Sequence, residues 1–392
     1  MFNGIKQRLS GANKVTVLFA IASAWPVIGF LPSIPSVLVY AITLAYAAYC
    51  LGKMTSMDGL CLSLLLYIPI ELLLAQPNSV FHSWSRYVFF AALLINVSPF
   101  LQSIALRQQR ELLFDLMMYV CVFIGVGSFF ARFLGINFMT SHYVDSISQV
   151  GTFGGLTTQS MTLGPIAGIA ACYLSSKAMT SKCLIDWIWA VLSLFSVLFS
   201  ASRSALFAAL TGVIVTLFCQ SGSTSRFLRI CIVSLVVIAS TFSLWEGALS
   251  GVIEKNGSSS SLSFDSRQEL WEDRIDDFKS SPIWGVGFCA TVIKGSIGVD
   301  MATGRIESGS SWIIVFSMLG IIGACILIPL FVKAFKAAYK QKTNYCSVIC
   351  GILALFFIHM FAEGYVFAGG SFLAFMLWLS VGVAMDSRFE IE

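Results

Sequence analysis

Arg203 is a lone cation between two apolar runs, in the stretch from Leu194 to Leu210. Each run is long enough to cross a bilayer. A charge moved toward the bilayer centre costs about 2.5 to 3.5 kcal/mol, so a membrane helix usually keeps one for a partner or a function. The helix that starts here also has a positive N-terminus, which disfavours a cation. A bound anion would resolve both conflicts. The alternative is an interfacial arginine whose head group reaches the lipid headgroups.

Two more arginines lie on a predicted amphipathic helix from Ser266 to Lys279, which begins with a Ser266–Glu269 capping box and ends at Pro282. At 100° per residue, one face carries Arg267, Leu270, Trp271, Arg274 and Phe278. The opposite face carries the acids Glu269, Glu272, Asp273, Asp276 and Asp277. A solvated helix would mix its cations with its acids, so we expect both arginines to point toward the surface on which the helix packs. Alternatively, their stems cover apolar surface and their heads meet backbone carbonyls or lipid phosphates.

Glu307 is the candidate acid–base residue. It lies close to the start of a predicted span, in the glycine- and serine-rich stretch from Gly304 to Trp312, where Arg305 is the only competing charge. A carboxylate in such a place can have a raised pKa and accept a proton. The alternative is a glutamate that is favoured by the helix dipole or paired with Arg305.

Two other polar residues attract attention. Gln159 follows a turn rich in glycines and hydroxyls that begins at Gly151, and it either contacts a sugar or caps the next helix, with capping slightly favoured. Glu71 lies within a predicted span, where a single glutamate is more often paired inside the bundle than catalytic.

The composition predicts the elements that position these residues. Hydrophobic residues form 57% of the 392 and charged residues only 11%, with a mean hydropathy of +0.85, so we predict an all-α polytopic membrane protein with one integral-membrane domain, 1–392. The first span is expected to be retained, because it lacks a signal-peptide cleavage site. Twelve transmembrane helices are predicted, at about 15–31, 34–52, 59–75, 86–102, 112–134, 161–176, 184–200, 203–219, 229–246, 311–332, 345–362 and 370–386.

The distribution of Lys and Arg predicts the orientation. The N-terminus and the even-numbered connections are basic, whereas the short odd-numbered connections carry only Arg86, Arg132 and Arg203. Both termini are therefore expected to be cytoplasmic, and Arg203 periplasmic. One large periplasmic loop, 247–310, is expected between helices nine and ten and contains the short amphipathic helix. The net charge of +4 mostly reflects this topology and gives no reason to expect nucleic-acid binding.

Cofactor chemistry has no signal in the sequence. Nearly all of the eleven cysteines fall in predicted spans, without a CxxC pair or a disulfide framework. No cluster has metal-ligand spacing, so we expect a metal-independent reaction without a cofactor. A bacterial inner membrane is compatible with this pattern.

Five short motifs together carry a resemblance. They are Gly151-Thr-Phe-Gly154, Ser202-Arg-Ser-Ala-Leu206, the stretch from Arg267 to Trp271, Ser281-Pro-Ile-Trp-Gly-Val-Gly-Phe288 and Ser317-Met-Leu-Gly-Ile-Ile-Gly323. Over roughly 150–330 the chain resembles the O-antigen polymerase and O-antigen ligase superfamily, which comprises multi-span bacterial glycosyltransferases of the GT-C type. The motifs are short, and their order and placement make the resemblance specific.

The resemblance implies a substrate, an activity and partners. Arginines at the outer face would hold the diphosphate of an undecaprenyl-diphosphate-linked glycan, which assigns that role to Arg203, Arg267 and Arg274. Many ligases carry a His-Asn pair where this chain has Glu307, so Glu307 becomes the expected base and a polysaccharide polymerase the expected enzyme. The alternatives are an O-antigen ligase, which transfers glycan to the lipid A core, and a flippase for lipid-linked oligosaccharide. Expected partners are the lipid-linked donor and acceptor, membrane lipid and a chain-length regulator protein.

Overall fold

The computed structural model describes residues 13–75, 81–139, 153–222, 225, 228, 262–292, 299–300, 305–306, 309–341 and 343–386. Two antiparallel strand pairs occur there, β1 (Ser56–Met57) with β2 (Leu101–Gln102) and β3 (Val299–Asp300) with β4 (Arg305–Ile306). The helices of these residues, α1 to α12, are Lys14–Ala24, Ser36–Leu51, Gly59–Ala75, Ser83–Val97, Ile104–Phe133, Ser160–Ser181, Leu184–Phe199, Arg203–Ser221, Leu262–Ser280, Ser311–Gln341, Asn344–His359 and Phe372–Asp386.

The apolar sequence accounts for this helical architecture, since backbone groups in a bilayer must be satisfied within the protein. Every described helix except α9 coincides with a predicted span, and α9 is the predicted loop helix. Helices α5, α8 and α10 are each long and apolar enough to cross a membrane. The fold is consistent with the predicted all-α membrane protein. The ninth predicted span, 229–246, lies outside the described residues, so the count of twelve spans stays a prediction.

Several predicted boundaries are wrong, among them those at the junction of α4 and α5. Helix α4 ends at Val97 and not at 102, and α5 begins at Ile104 and not at 112. The side chain of Ser103 accepts a hydrogen bond from the Leu106 amide at 3.2 Å and so caps the start of α5. The first two turns of α5 contain polar residues, among them Arg107 and Arg110. A search for continuous apolar residues misses such turns.

Small residues bring α6, α8 and α11 into close contact. A Cβ added to Gly168 of α6 would lie 2.9 Å from the Cβ of Ala209 on α8. A Cβ added to Gly212 of α8 would lie 2.9 Å from the carbonyl oxygen of Gly351 on α11. Membrane helices associate mainly through such close packing, because lipid tails are as apolar as leucine side chains. This contact fixes the position of α8, which Arg203 begins.

One end of the bundle, called here the ion-pair end, is closed by interhelical ion pairs. They join Arg110 to Asp386, Lys177 to Asp186 and Lys333 to Asp58. The guanidinium of Arg110 meets both carboxylate oxygens of Asp386 at 2.6 Å, and both side chains are buried. All three cations belong to the even-numbered connections or border them, which the sequence analysis predicts to be cytoplasmic.

The opposite end of the bundle, called here the loop end, holds the described candidate residues. Helix α3 starts beside Asp58 at the ion-pair end, so Glu71 lies in its last turns at the loop end. Helix α7 starts near Asp186 and crosses the bundle, which brings the following Arg203 to the loop end. Helix α6 ends near Lys177, so the residue that precedes it, Gln159, also lies there.

Candidate functional site

A loop formed by residues 281–290 enters the bundle at a break in α10. Inside α10, Gly320 has φ 62° and ψ −166°, which interrupts the helical hydrogen bonds. The freed groups pair with the loop: the amide of Val286 donates to the Ser317 carbonyl at 2.9 Å, and the amide of Ile321 donates to the Pro282 carbonyl at 2.9 Å. Irregular backbone at this depth is tolerated where protein buries it. Two of the motifs behind the family resemblance, Ser281 to Phe288 and Ser317 to Gly323, therefore contact each other.

Tyr67 fastens α3 to the same contact. Its hydroxyl lies 2.9 Å from the carbonyl oxygen of Trp284 and 2.9 Å from that of Leu319, and it donates to them. The rings of Tyr67 and Trp284 also stack, with their centroids 6.3 Å apart. These contacts join helix α3, the loop and α10 at the loop end.

Glu71 lies one turn after Tyr67 and is fully buried. Its Oε2 accepts a hydrogen bond of 2.9 Å from the backbone amide of Phe288, at the end of the loop. Its Oε1 is buried and has no hydrogen-bond partner among the described residues. Glu71 is therefore paired inside the bundle, as expected, but with a backbone amide and not with a cation. This hydrogen bond satisfies one of its two carboxyl oxygens.

Arg274 is also fully buried, on the face of α9 that packs against the bundle, as predicted. Its Nη1 lies 2.8 Å from Oδ2 of Asp277 and donates to the Ala290 carbonyl at 3.2 Å. Its Nε and Nη2 are buried without a hydrogen-bond partner among the described residues. Burial lowers the pKa of Arg274, and the Asp277 carboxylate opposes that shift. A guanidinium stays charged in proteins, so two charged donors remain available.

The placement of Asp277 on the solvent face is wrong. Asp277 is fully buried, and it accepts hydrogen bonds from Thr291 Oγ1 at 2.9 Å and from the Val292 amide at 3.0 Å. Residues three apart are neighbours on a helix surface, so Asp277 shares the face of Arg274. The loop donors that make its burial possible come from a distant part of the sequence.

The start of α9 also differs from the prediction. The helix begins at Leu262, so Ser266 is an interior residue and the predicted capping box with Glu269 is wrong. No glycine or proline separates Leu262 from Ser266, and the helix extends back to the end of the serine run. Arg267 lies on α9, and its side chain is outside the described residues.

Cys289 occupies the turn between the contacts of Glu71 and Arg274. It adopts the left-handed region with φ 53°, which is uncommon for a residue other than glycine. Its buried thiol is hydrogen-bonded to Arg86, at the start of α4, and feels the charges of Arg274 and Glu71. Burial raises the pKa of the Cys289 thiol to about 11. A protonated thiol is a poor nucleophile, so Cys289 is a structural residue of this turn.

Glu307 lies outside the described residues, between β4 and Gly309. The residues that follow it, from Gly309 onward, are described. The indole Nε1 of Trp271 on α9 donates to the Gly309 carbonyl at 3.2 Å. The backbone amide of Ser311 donates to the carbonyls of Met360 and Glu363 at 2.8 and 3.0 Å. Gly309, two residues after Glu307, therefore lies beside α9, about one turn before Arg274.

Arg203 is the first residue of α8, as predicted, and its side chain is half-buried. The hydroxyl of the preceding Ser202 caps the helix by accepting from the Ala205 amide at 3.3 Å. Helix α8 packs mainly on α11 and α6. The structure thus confirms the cation at a helix N-terminus, whereas its convergence with Arg267 and Arg274 on one anion stays a prediction.

Arg132, in the last turn of α5, is a cation of the loop end that the sequence reasoning did not select. Its guanidinium lies 5.5 Å from the ring centroid of Phe153 and 5.9 Å from that of Phe199, four residues before Arg203. The sequence could have identified Arg132, because it is one of the few basic residues in the short odd-numbered connections, as Arg203 is.

Gln159 follows a hydrogen-bonded turn, as predicted. The Thr157 hydroxyl contacts the carbonyls of Gly154 and Gln159, each at 2.8 Å, and the amide of Gly29 donates to the Leu156 carbonyl at 2.7 Å. Gln159 is the N-cap residue of α6, and its carbonyl accepts from the Leu163 amide at 3.1 Å, but its side chain makes no capping hydrogen bond. Its contact with a glycan stays a prediction.

The comparison with known proteins identifies the part of the chain around this site. No curated protein sequence matches the chain at a significant level. Residues 188–328 match the family described as O-antigen ligase. This range contains Arg203, helix α9, the 281–290 loop and the break in α10. The match confirms, over residues 188–328, that the chain resembles the O-antigen polymerase and ligase superfamily.

Proposed function

We propose that the protein is a polymerase that joins oligosaccharide repeat units carried on undecaprenyl diphosphate, at the periplasmic face of the bacterial inner membrane. The observation that carries this proposal is Arg274, a buried guanidinium with two donor atoms that have no hydrogen-bond partner in the part of the chain that the structure describes, within the segment that matches the O-antigen ligase family. Native proteins rarely leave buried charged donors unsatisfied. A phosphate group of the substrate supplies the missing acceptors.

Arg203 and Arg267 complete the diphosphate site in this proposal. A phosphate is favoured at the N-terminus of α8, where the cation alone is disfavoured. Planar guanidinium groups bind phosphate oxygens bidentately and need no metal to neutralise the leaving group. The site would thus stabilise the negative charge that develops on the lipid diphosphate as it leaves.

Glu307 is the proposed base. It removes the proton from an acceptor sugar hydroxyl, and the hydroxyl oxygen forms a new bond to the anomeric carbon of the donor. The bond from that carbon to the diphosphate breaks on the opposite side, which releases undecaprenyl diphosphate and inverts the anomeric configuration. The hydrogen bond between Trp271 and Gly309 supports this role, because it holds Gly309, two residues after Glu307, against the helix that carries Arg267 and Arg274.

Two alternatives make different predictions. In a ligase the acceptor is lipid A core, and many ligases carry a His-Asn pair where this chain has Glu307-Ser308. A flippase needs its cations along a path through the bundle. Against a flippase, Arg203 and Arg274 both lie at the loop end, while the buried Arg110 at the other end is bound by Asp386. Gln159, at the same end, is proposed to contact the glycan, and a chain-length regulator is a proposed partner.

A reconstituted assay separates these functions. Purified protein in lipid nanodiscs receives one lipid-linked repeat unit and a chelator, without lipid A core. A polymerase gives a ladder of longer lipid-linked glycans. Product that forms only after core acceptor is added identifies a ligase, and transport without glycosidic bond formation identifies a flippase.

A further inference from the structure

Two charged side chains at the loop end have buried polar atoms without a hydrogen-bond partner among the described residues. These atoms are Oε1 of Glu71 and the Nε and Nη2 atoms of Arg274, and both side chains are 0% exposed. A buried charge without its partners is strongly unfavourable. Orphaned atoms of opposite character, an acceptor and two donors, therefore suggest a ligand that carries both a donor and acceptors.

Both side chains are attached to the same short turn. Glu71 accepts from the Phe288 amide at 2.9 Å, and Arg274 donates to the Ala290 carbonyl at 3.2 Å. Only Cys289 stands between these two anchor points, in a left-handed conformation. Residues in sparsely populated backbone conformations cluster at functional sites. The turn of residues 288–290 thus brings a carboxylate from α3 and a guanidinium from α9 to one place.

The carboxylate of Glu71 is not neutralised by an ion pair within 4 Å in the part of the chain that the structure describes, whereas Arg274 has Asp277. Its position is apolar, since the Phe288 ring packs on Phe90 and Phe367 with centroid distances of 5.6 and 5.3 Å. A membrane protein that keeps an acid in such surroundings usually uses it. The Phe288 amide fixes one oxygen and so orients the other.

We propose that Glu71 is a glycan-contacting residue, whose Oε1 accepts a hydrogen bond from a hydroxyl of the lipid-linked sugar while Arg274 binds a phosphate oxygen of the same molecule. This inference rests on the proposed function. The turn of residues 288–290 contacts both groups, so the proposal requires this turn to shift when the substrate binds. Hydroxyl groups bind charged carboxylates through short, strong hydrogen bonds. A site built for a hydroxyl discriminates strongly against a ligand that lacks it, so Glu71 determines which glycan is accepted.

The test compares two ligands and two variants in nanodiscs. The ligands are undecaprenyl diphosphate that carries one repeat unit and bare undecaprenyl diphosphate. Glu71→Gln keeps an oxygen acceptor for the Phe288 amide and replaces the second carboxyl oxygen with an NH2 group, so it separates glycan binding from anchoring of the turn. Tyr67→Phe is the matched control, because it removes a contact with the same loop from the same helix.

The expected result concerns the ratio of the two affinities. Glu71→Gln should reduce the preference for the glycan-bearing ligand about tenfold or more and leave the affinity for bare undecaprenyl diphosphate unchanged. Tyr67→Phe should change neither value. An unchanged preference in Glu71→Gln would mean that Glu71 only anchors the turn, and the inference would be wrong.

A second measurement does not depend on the variant folding. Electron cryomicroscopy of the parent protein with the lipid-linked repeat unit should show a sugar hydroxyl within hydrogen-bond distance of Glu71 Oε1, and a more distant glycan overturns the inference. Failure of the proposed function looks different. In that case the parent binds the repeat unit with a preference that Glu71→Gln reduces, but it makes no polymer.

Discussion

Gly285 and Gly320 face each other where the 281–290 loop meets the break in α10. A Cβ added to Gly320 would lie 2.7 Å from the backbone nitrogen of Gly285 and 2.3 Å from the Ile283 carbonyl oxygen. A Cβ added to Gly285 would lie 2.1 Å from the Met318 carbonyl oxygen. Both glycines also have positive φ, 87° and 62°. Only glycine satisfies both the close approach and the backbone conformation.

Alanine at either glycine should therefore destabilise the protein. A residue with a Cβ costs about 1 to 2 kcal/mol in a left-handed backbone conformation, and the clash with a carbonyl adds to this. Thermal unfolding in detergent should show a lower transition temperature for Gly285→Ala and Gly320→Ala. Gly59→Ala is the control, since its Cβ would meet nothing within 4 Å. Unfolding like that of the parent in either loop variant would contradict the contact.

The buried pair of Arg110 and Asp386 predicts a strongly non-additive pair of substitutions. Removing one partner leaves the other charge buried, which costs about 3 to 5 kcal/mol. Arg110→Met and Asp386→Leu should each destabilise the fold by about that much, whereas the double variant should recover most of the loss. Unfolding in mixed detergent measures all four proteins. Additive losses would show that the two residues do not stabilise the fold as a pair.

Apolar runs predicted the helices, and lone cations predicted the local placement of two arginines. Arg203 at the start of α8 and the inward face of Arg274 both followed from local physical chemistry, since a cation is unfavourable at a helix N-terminus and on an apolar face. These predictions needed only neighbouring residues. They succeeded because the placement of each arginine depends on a single helix.

Two features of the site depend on contacts outside their own helix. Thr291 and Val292 supply donors to the buried Asp277, and Glu71 is held by an amide 217 residues further along the chain. The spacing within α3 and α9 indicates the faces of these helices but not the loop groups that meet them. Short motifs such as Pro282 to Phe288 indicated that the loop is special, without indicating that it fills the break in α10.

The orientation predicted from Lys and Arg can be tested by cysteine labelling. Ser259→Cys lies in the large loop, so an impermeant maleimide should label it from the periplasm in intact cells. A cysteine added at either terminus should react only after the inner membrane is opened. Labelling of Ser259→Cys from the cytoplasmic side alone would overturn the whole topology.

If Arg203, Arg267 and Arg274 together bind the diphosphate, the shape of the Arg203 side chain should matter as much as its charge. Lysine keeps the charge but loses the planar pair of donors that matches a phosphate. Arg203→Lys should therefore impair polymerisation nearly as much as Arg203→Ala, in protein that folds and inserts normally. Arg107→Lys is the control, because Arg107 pairs with Glu111 at the ion-pair end. Full activity in Arg203→Ala would show that Arg203 does not bind the diphosphate.

Glu307→Gln tests the base. Loss of a general base lowers turnover by roughly 10² to 10⁴, whereas binding of the lipid-linked donor should persist because the arginines supply it. Single-turnover rates and donor affinity are measured separately in nanodiscs. Glu272→Gln, an exposed acid on α9, should behave like the parent. If Glu307→Gln builds the glycan ladder as fast as the parent, Glu307 is structural, and the base must be sought at His142 or Asp265. A variant that loses donor binding together with turnover would instead place Glu307 in the binding of the substrate.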